Sequence, residues 1–106
     1  MKVTFGKYIR ELRNTSELTL TQLAAKLDLD SANLSKIENG KRDFDEKRLL
    51  KLAKVFKLNV KELKKEFVTD QIAKQIYEYD CTKEMIVVAE EKAEYRRQLN
   101  KQTKNI

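Results

Sequence analysis

The sequence has no proline, histidine or tryptophan, and it contains only two glycines and one cysteine. Because tight hairpin turns depend largely on glycine, this composition disfavours long β-hairpins, and apolar residues recurring with the 3.6-residue helical period predict an all-α fold. The lone Cys81 excludes a disulfide within the chain, and the lack of histidine excludes His/Cys zinc sites and nucleophilic triads. We therefore predict no metal, no cofactor and no enzymatic activity.

The sequence also lacks an apolar run approaching 18 residues, and its first residues show no signal-peptide pattern. Both absences predict a cytoplasmic protein without a membrane partner. A chain of 106 residues has room for one domain with an appendage.

The positive charge is distributed unevenly. Residues 1–67 hold 16 Lys or Arg and 10 Asp or Glu, whereas residues 68–106 hold seven of each, so the whole net charge of +6 lies in the first part. A basic segment of this kind favours nucleic-acid phosphates as a partner, because neutralising them releases counterions.

Residues 18–40, LTLTQLAAKLDLDSANLSKIENG, contain two short segments of helical periodicity separated by a break. In the first segment, leucine and alanine recur at the i, i+3, i+4, i+7 spacing of one helix face, and Thr19 precedes them as an N-cap candidate. At the break, Asp28 tolerates a left-handed backbone and Asp30 can cap the next helix. Gly40 then supplies a left-handed residue that ends the second helix. The pattern predicts two helices joined by a tight turn.

The second helix has one apolar face and one polar face. Leu34 and Ile37 lie on the apolar face, and Glu38 beside them is interpreted as a structural acid paired with a cation such as an arginine of the first helix. The remaining side chains are small, hydrogen-bonding or cationic, and they are Ser31, Ala32, Asn33, Ser35 and Lys36. Such a face can enter a DNA major groove and offer side chains to base edges.

This stretch resembles the helix-turn-helix of the phage-repressor/Cro family, also called the XRE family, whose consensus is roughly LTQxELAxxLGVSxxxISxxExG. The matching positions, in one ungapped register, are Leu23, Ala24, Leu27, Leu29, Leu34, Ser35, Ile37, Glu38 and Gly40. The resemblance covers about residues 4–67. Two positions depart from the consensus: Leu20 replaces a glutamine that often clamps DNA, and Asp28 replaces the turn glycine.

The resemblance implies a five-helix DNA-binding domain that binds double-stranded DNA as a homodimer on half-sites roughly 34 Å apart. It places the loop after the second helix along the DNA backbone. The candidates for phosphate contact are Thr19, Thr21, Asn39, Lys41 and Arg42, and such contacts carry affinity without sequence information. Among the base-reading candidates, Lys36 suits guanine, Asn33 suits adenine or phosphate, and Ala32 suits a thymine methyl group.

Cap residues predict the other helices of this domain. Thr4 begins the first helix and Asp45 the fourth, with Phe44 anchored in the core just before it. Asn59 and Glu62 form a capping box that opens a short fifth helix. The domain is expected to span residues 4–67.

Two further helices are predicted in residues 68–100, the first beginning at Thr69 or Asp70 and the second after Thr82, and residues 101–106 are expected to fray. Their apolar side chains must pack on something. The candidates for an interface are Ile72, Ile76, Tyr79, Met85, Val88, Tyr95 and Leu99. These helices either fold back on the five-helix unit, form a homodimer or bind another protein.

The leading functional hypothesis is a homodimeric, sequence-specific transcriptional regulator that represses its own operon or controls a neighbouring one. The alternative is an antitoxin-type interaction protein, whose C-terminal helices bind and neutralise a toxin while the basic half represses the operon.

Overall fold

The computed structural model of the chain describes residues 3–104. This part contains six α-helices, one short 3-10 helix and no β-strand, which confirms the all-α prediction. The helices are α1 (Phe5–Thr15), α2 (Leu20–Lys26), α3 (Ser31–Glu38), α4 (Leu49–Phe56), α5 (Val60–Glu78) and α6 (Lys83–Lys104), and the 3-10 helix is Glu46–Arg48. The chain divides into two compact units, residues 1–71 (unit 1) and residues 72–106 (unit 2).

Unit 1 is built around a single hydrophobic core that draws on α1 to α5. The buried apolar residues are Phe5, Ile9, Leu23, Ala24, Leu27, Leu34, Ile37, Phe44, Leu49, Leu52, Ala53, Leu63 and Phe67. At one end of this core the ring of Phe5 lies 5.6 Å from that of Phe44 and 5.4 Å from that of Phe67, measured between centroids. Phe44 therefore anchors the loop after α3 in the core, as predicted.

The predicted caps of α1, α2 and α3 are confirmed. The side chains of Thr4, Thr19 and Asp30 accept hydrogen bonds from the first turns of α1, α2 and α3. Asp45 caps the 3-10 helix that precedes α4 rather than α4 itself. Asn59 Oδ1 accepts from two backbone N–H groups in the first turn of α5, which confirms Asn59 as its cap. The Glu62 side chain does not accept from the Asn59 N–H, so the predicted capping box is only half formed. Each cap satisfies donors that a helix N-terminus leaves without a partner.

The predicted helix start at Thr69 or Asp70 is wrong, because α5 continues without interruption from Val60 to Glu78. The Thr69 hydroxyl donates to the Lys65 carbonyl at 2.7 Å, so it is satisfied inside the helix and does not cap a new one. No glycine or proline lies between residues 60 and 78 to break the helix. The fifth and sixth predicted helices are therefore one helix.

Unit 2 contains the end of α5, a tight turn and α6. Asp80 adopts a left-handed backbone with φ of 51°, and the Cys81 N–H closes the turn on the Ile76 carbonyl at 2.9 Å. Thr82 caps α6 by accepting from the Met85 N–H, as predicted. Helix α6 continues to Lys104, so residues 101–104 of the tail predicted to fray are helical, and the last two residues lie outside the described part.

Candidate nucleic-acid interface

The turn between α2 and α3 is held by both backbone and side-chain contacts. Asp28 has a φ of 56°, the left-handed conformation expected of it, and the Leu29 N–H donates to the Ala24 carbonyl at 2.9 Å. Arg48 donates to the carbonyls of Leu27 and Asp28, at 3.0 and 3.3 Å. Those carbonyls lie at the end of α2 and would otherwise depend on water, so Arg48 stabilises the turn between α2 and α3.

An ion pair strengthens the same turn from outside. The Lys51 ammonium group contacts the Asp28 carboxylate. Through this hydrogen bond and the charge of Lys51, the pKa of the Asp28 carboxyl is held below its ordinary value. Both side chains are exposed, so we expect a small contribution to stability.

Glu38, at the end of α3, is clamped by two arginines of α1. Its side chain is only 1% exposed, and its carboxylate accepts from Arg13 Nε at 2.8 Å, Arg13 Nη2 at 3.0 Å and Arg10 Nε at 3.3 Å. Arg13 is 14% exposed and Arg10 is 41% exposed, so Arg13 is the more deeply set partner. The hydrogen bond to Glu38 raises the pKa of Arg13. The structure thus identifies the α1 cations that the sequence left open.

A glycine allows the backbones of α1 and α3 to approach closely. A Cβ atom built on Gly6 would lie 2.1 Å from the Ile37 carbonyl oxygen and 3.1 Å from that of Glu38. No side chain fits at that distance, so glycine permits the contact. Gly6 and the Glu38 ion pairs together fix α3 on α1.

The clamped helix presents its polar face outward. Of the five base-reading candidates, Ser31, Ala32 and Lys36 are exposed, while Asn33 and Ser35 are half-buried. All five lie on α3, either on the face opposite the buried Leu34 and Ile37 or at the edges of that face, as the periodicity predicted.

Asn33 is engaged by other residues of the protein. Its Nδ2 donates to Asp30 Oδ2 at 2.9 Å, and its Oδ1 accepts from Arg42 Nη1 at 2.8 Å. The amide that was expected to read adenine or bind phosphate therefore links the cap of α3 to the cation of the following loop. This link holds the Arg42 guanidinium, whose planar fork suits phosphate or guanine, beside the N-terminal half of α3.

Asn39 is engaged in a similar way at the other end of the helix. Its Nδ2 donates to the Ser35 carbonyl at 2.9 Å, and its Oδ1 accepts from Arg10. Lys41 follows as an exposed side chain. Gly40, with φ of 74°, turns the chain between Asn39 and Lys41. Two of the candidates for phosphate contact therefore bind candidates for base reading: Asn39 binds Ser35, and Arg42 binds Asn33. Lys41 lies between Asn39 and Arg42 in the sequence.

Thr19 and Thr21 lie at the start of α2, and both are exposed. Thr19 forms a reciprocal capping box with Gln22: Gln22 N–H donates to the Thr19 hydroxyl at 3.1 Å, and Thr19 N–H donates to Gln22 Oε1 at 2.9 Å. Sequence reasoning overlooked Gln22, although the Thr-x-x-Gln spacing of the box was present. The box leaves the Thr19 side chain occupied as a cap.

The predicted interface candidates lie outside the core. Ile76 is half-buried, and the remaining members are exposed, namely Ile72, Tyr79, Met85, Val88, Tyr95 and Leu99. Within residues 72–101 no side chain is buried. The apolar side chains of the seven interface candidates therefore lie outside the core of unit 1.

None of the helices described is long and apolar enough to cross a membrane. Residues 3–104 also contain no group of three or more Cys, Asp or Glu side chains placed to hold a metal ion.

The helix-turn-helix geometry of α2 and α3 agrees with comparisons against known proteins. The model of the helix-turn-helix family HTH_3 matches residues 9–63, just over half of the chain. The chain belongs to this family of XRE-type DNA-binding transcriptional regulators.

Individual proteins agree with the family assignment. The uncharacterized HTH-type transcriptional regulator RghRB of Bacillus subtilis (strain 168) is 47% identical over 55 residues, which cover 51% of this chain and 40% of that protein. The curated relatives are longer, and the match spans about two fifths of their length.

Two solved structures share the fold over a little more than half of the chain. The restriction-modification controller protein C.AhdI from Aeromonas hydrophila has a TM-score of 0.50 at 34% identity, covering 56% of this chain and 89% of that one. The biofilm regulator SinR, solved in complex with DNA, has a TM-score of 0.51 at 26% identity, covering 57% of this chain and 97% of that one.

Proposed function

We propose that this protein is a homodimeric, sequence-specific repressor of its own operon or of an operon that it controls. The observation that carries the proposal is the outward polar face of α3, which is fixed on α1 while Ser31, Ala32 and Lys36 remain exposed. Because α3 is already held in place before DNA binds, docking it against base edges costs little additional conformational entropy.

The proposed mechanism assigns different tasks to two sets of residues. Ser31, Ala32 and Lys36 face the bases, and Lys36 favours guanine O6 and N7. Lys41 and Arg42 neutralise phosphates on either side of the groove, which gives affinity and register but no sequence selectivity. The hydrogen bond from Arg42 to Asn33 supports this assignment, because it holds the guanidinium at the edge of the reading helix.

Two copies are needed because one short helix touches only a few base pairs. A two-fold dimer places its α3 helices in successive major grooves roughly 34 Å apart, so its operator is expected to be an inverted repeat. With about eight phosphate contacts, the logarithm of the binding constant is expected to fall with the logarithm of salt concentration at a slope of about −7.

Fluorescence anisotropy with DNA from upstream of the protein's own gene, a shuffled duplex of the same length and two salt concentrations tests the proposal. We expect tight binding to the upstream DNA alone. Lys36→Ala is expected to lose about 1 to 3 kcal/mol on that site, and Lys83→Ala in unit 2 serves as a matched control that leaves binding unchanged. Equal, weak and steeply salt-dependent binding to both duplexes would contradict sequence specificity.

The same preparation addresses the antitoxin alternative. The wild-type chain is expected to purify alone from cells that express its whole operon. A second small chain that co-purified in fixed ratio, and that released the DNA or modified its binding, would instead assign unit 2 to a protein partner.

A further inference from the structure

The side-chain amide of Asn33 lies between a carboxylate and a guanidinium. Its Nδ2 donates to Asp30 Oδ2 at 2.9 Å, and its Oδ1 accepts from Arg42 Nη1 at 2.8 Å. The two neighbours fix the direction of the amide, because a reversed amide would set its NH2 group against the guanidinium and its oxygen against the carboxylate. Asp30 and Arg42 are exposed, whereas Asn33 is half-buried. We call these three residues the amide bridge.

Unit 1 has other contacts that hold the backbone on both sides of the amide bridge. The backbone N–H of Asn33 donates to Asp30 Oδ1 at 2.7 Å, so α3 keeps its cap without the Asn33 side chain. Phe44 anchors the loop after α3 in the core. Contacts between exposed polar groups also contribute little to stability. Stability is therefore a weak explanation for the amide bridge.

The amide bridge affects how Arg42 meets a ligand. It gives the guanidinium a neutral partner, and it separates that guanidinium from the Asp30 carboxylate, with which a direct ion pair would offset its charge. The bond to Asn33 is one of the five that the N–H donors of a guanidinium can make. The side chain is thus held in one place and keeps donors for an anion.

We propose that Asn33 is a positioning residue, which reads no base and instead aims Arg42 at a DNA phosphate beside the start of α3. Arg42 belongs to the loop after α3 and not to the outward face of the helix, which favours a phosphate over a base edge. A planar guanidinium can bind two oxygens of one phosphate, and holding it in place before DNA binds reduces the side-chain freedom lost. The inference rests on the proposed function and adds a residue that sets its affinity.

A double-mutant cycle in the full-length chain tests the inference. The variants are Asn33→Ala, Arg42→Ala and both together, and fluorescence anisotropy measures their binding to the preferred and the shuffled duplex over a series of salt concentrations. Ser31→Ala, alone and with Arg42→Ala, forms the matched control cycle, because Ser31 is exposed on the same helix and is not part of the amide bridge. Thermal unfolding measures the stability of each variant.

We expect Asn33→Ala to weaken binding to both duplexes by about threefold to tenfold, within the range of coupling found in hydrogen-bond networks. Its salt slope should lie between those of the wild-type chain and Arg42→Ala. In the Arg42→Ala chain, the further loss from Asn33→Ala is expected to be less than about twofold. Ser31→Ala should instead weaken binding chiefly on the preferred duplex, by the same factor with and without Arg42.

Nuclear magnetic resonance of the chain without DNA gives a readout that does not depend on binding. The bond to Asn33 restricts rotation of the Arg42 guanidinium, so we expect separate Nη signals for Arg42 in the wild-type chain. In Asn33→Ala these signals are expected to average. Averaged signals in the wild-type chain would mean that Asn33 does not hold Arg42.

Three further results would overturn the inference. They are a loss in Asn33→Ala confined to the preferred duplex, a loss of the same size with and without Arg42, and a fall in thermal stability large enough to explain the weaker binding. The proposed function is tested separately by the wild-type chain. Equal binding to both duplexes would remove the proposed function while coupled losses still supported the positioning of Arg42, and specific binding with additive losses would do the reverse.

Discussion

Unit 1 and unit 2 are both helical, yet only unit 1 has a core among the described residues. All thirteen buried apolar residues lie between Phe5 and Phe67, and none of residues 72–101 is buried. Helices therefore form in both units, although buried side chains are found only in unit 1 of the described chain. Helix α6 has 22 residues rich in good helix formers, which exceeds the length at which isolated helices are marginal, so local propensity supports it without burial.

The short helices of unit 1, unlike α6, cannot be stable through local helix propensity alone. Helices α2 and α3 have seven and eight residues, too few to be stable alone, so packing and caps must hold them. Helix α3 therefore depends on its packing against α1 and α2, and the turn before it is held by Arg48 and Lys51. Packing therefore holds the helices of unit 1 in place, whereas the described helices of unit 2 leave their large apolar side chains exposed or half-buried.

The largest difference is expected from removing one buried charge. Glu38→Gln leaves Arg13 and Arg10 without their anion, and breaking a buried pair in this way costs about 3 to 5 kcal/mol of unfolding free energy. The matched change in unit 2, Glu84→Gln, alters an exposed side chain and is expected to cost less than about 0.5 kcal/mol. Urea unfolding measures both. Similar losses for the two variants would mean that Glu38 does not clamp α3.

Two leucine substitutions compare a buried apolar side chain of unit 1 with an exposed one of unit 2. Leu34→Ala removes a fully buried α3 side chain and is expected to lower the free energy of unfolding by about 2 to 5 kcal/mol. Leu99→Ala, at a position 43% exposed, is expected to cost less than about 0.5 kcal/mol at dilutions where the chain is monomeric, yet it should weaken dimerisation. Thermal unfolding over a range of protein concentrations separates these effects. A large, concentration-independent loss for Leu99→Ala would show that unit 2 has a core of its own.

Gly6→Ala is expected to have a smaller effect with an unusual sign. Alanine normally stabilises a helix by about 1 kcal/mol relative to glycine, but here its Cβ would strike the Ile37 carbonyl and force α1 away from α3. We expect a net loss of about 2 kcal/mol, in the range of other overpacked sites. Gly40→Asn is the control, because it has open space and asparagine tolerates a left-handed backbone. Stabilisation by Gly6→Ala would contradict the close approach of the two helices.

The smallest effect concerns pH and the turn before α3. Because Lys51 lowers the pKa of Asp28, the stability from this pair is present above the ordinary carboxyl pKa and is lost as pH falls through the depressed value. A nuclear magnetic resonance titration is expected to show the Asp28 carboxyl ionising below its ordinary value, and Lys51→Ala is expected to return it. If the Asp28 carboxyl titrated at the same pH in Lys51→Ala, Lys51 would not be the cause of its lowered pKa.

The sequence predicts local features of unit 1 well, because short-range chemistry determines them. Asp28 and Gly40 adopt the predicted left-handed conformations, and Thr19 and Asp30 cap the predicted helices. Where two local signals competed, the prediction failed: Thr69 had the chemistry of a cap, but the uninterrupted helix-forming residues around it decided the outcome.

The long-range contacts of the candidate site could not be predicted from the sequence. That Gly6 meets the Ile37 carbonyl, that Arg48 reaches the turn after α2, and that Arg42 binds Asn33 each depend on residues between nine and 31 positions apart being brought together by the fold. For the same reason, the sequence indicates only a nearby cation, such as an arginine of the first helix, as the partner of Glu38.

In the proposed function, α3 reads bases while the loop after it contacts phosphates. Binding of Lys36→Ala and Lys41→Ala to the preferred and the shuffled duplex, each over a series of salt concentrations, tests it most directly. We expect Lys36→Ala to weaken binding chiefly on the preferred duplex, whereas Lys41→Ala should weaken both duplexes alike and make the salt slope shallower by about 1 to 2 in a dimer. Equal losses on both duplexes for Lys36→Ala would contradict the claim and remove α3 from sequence recognition.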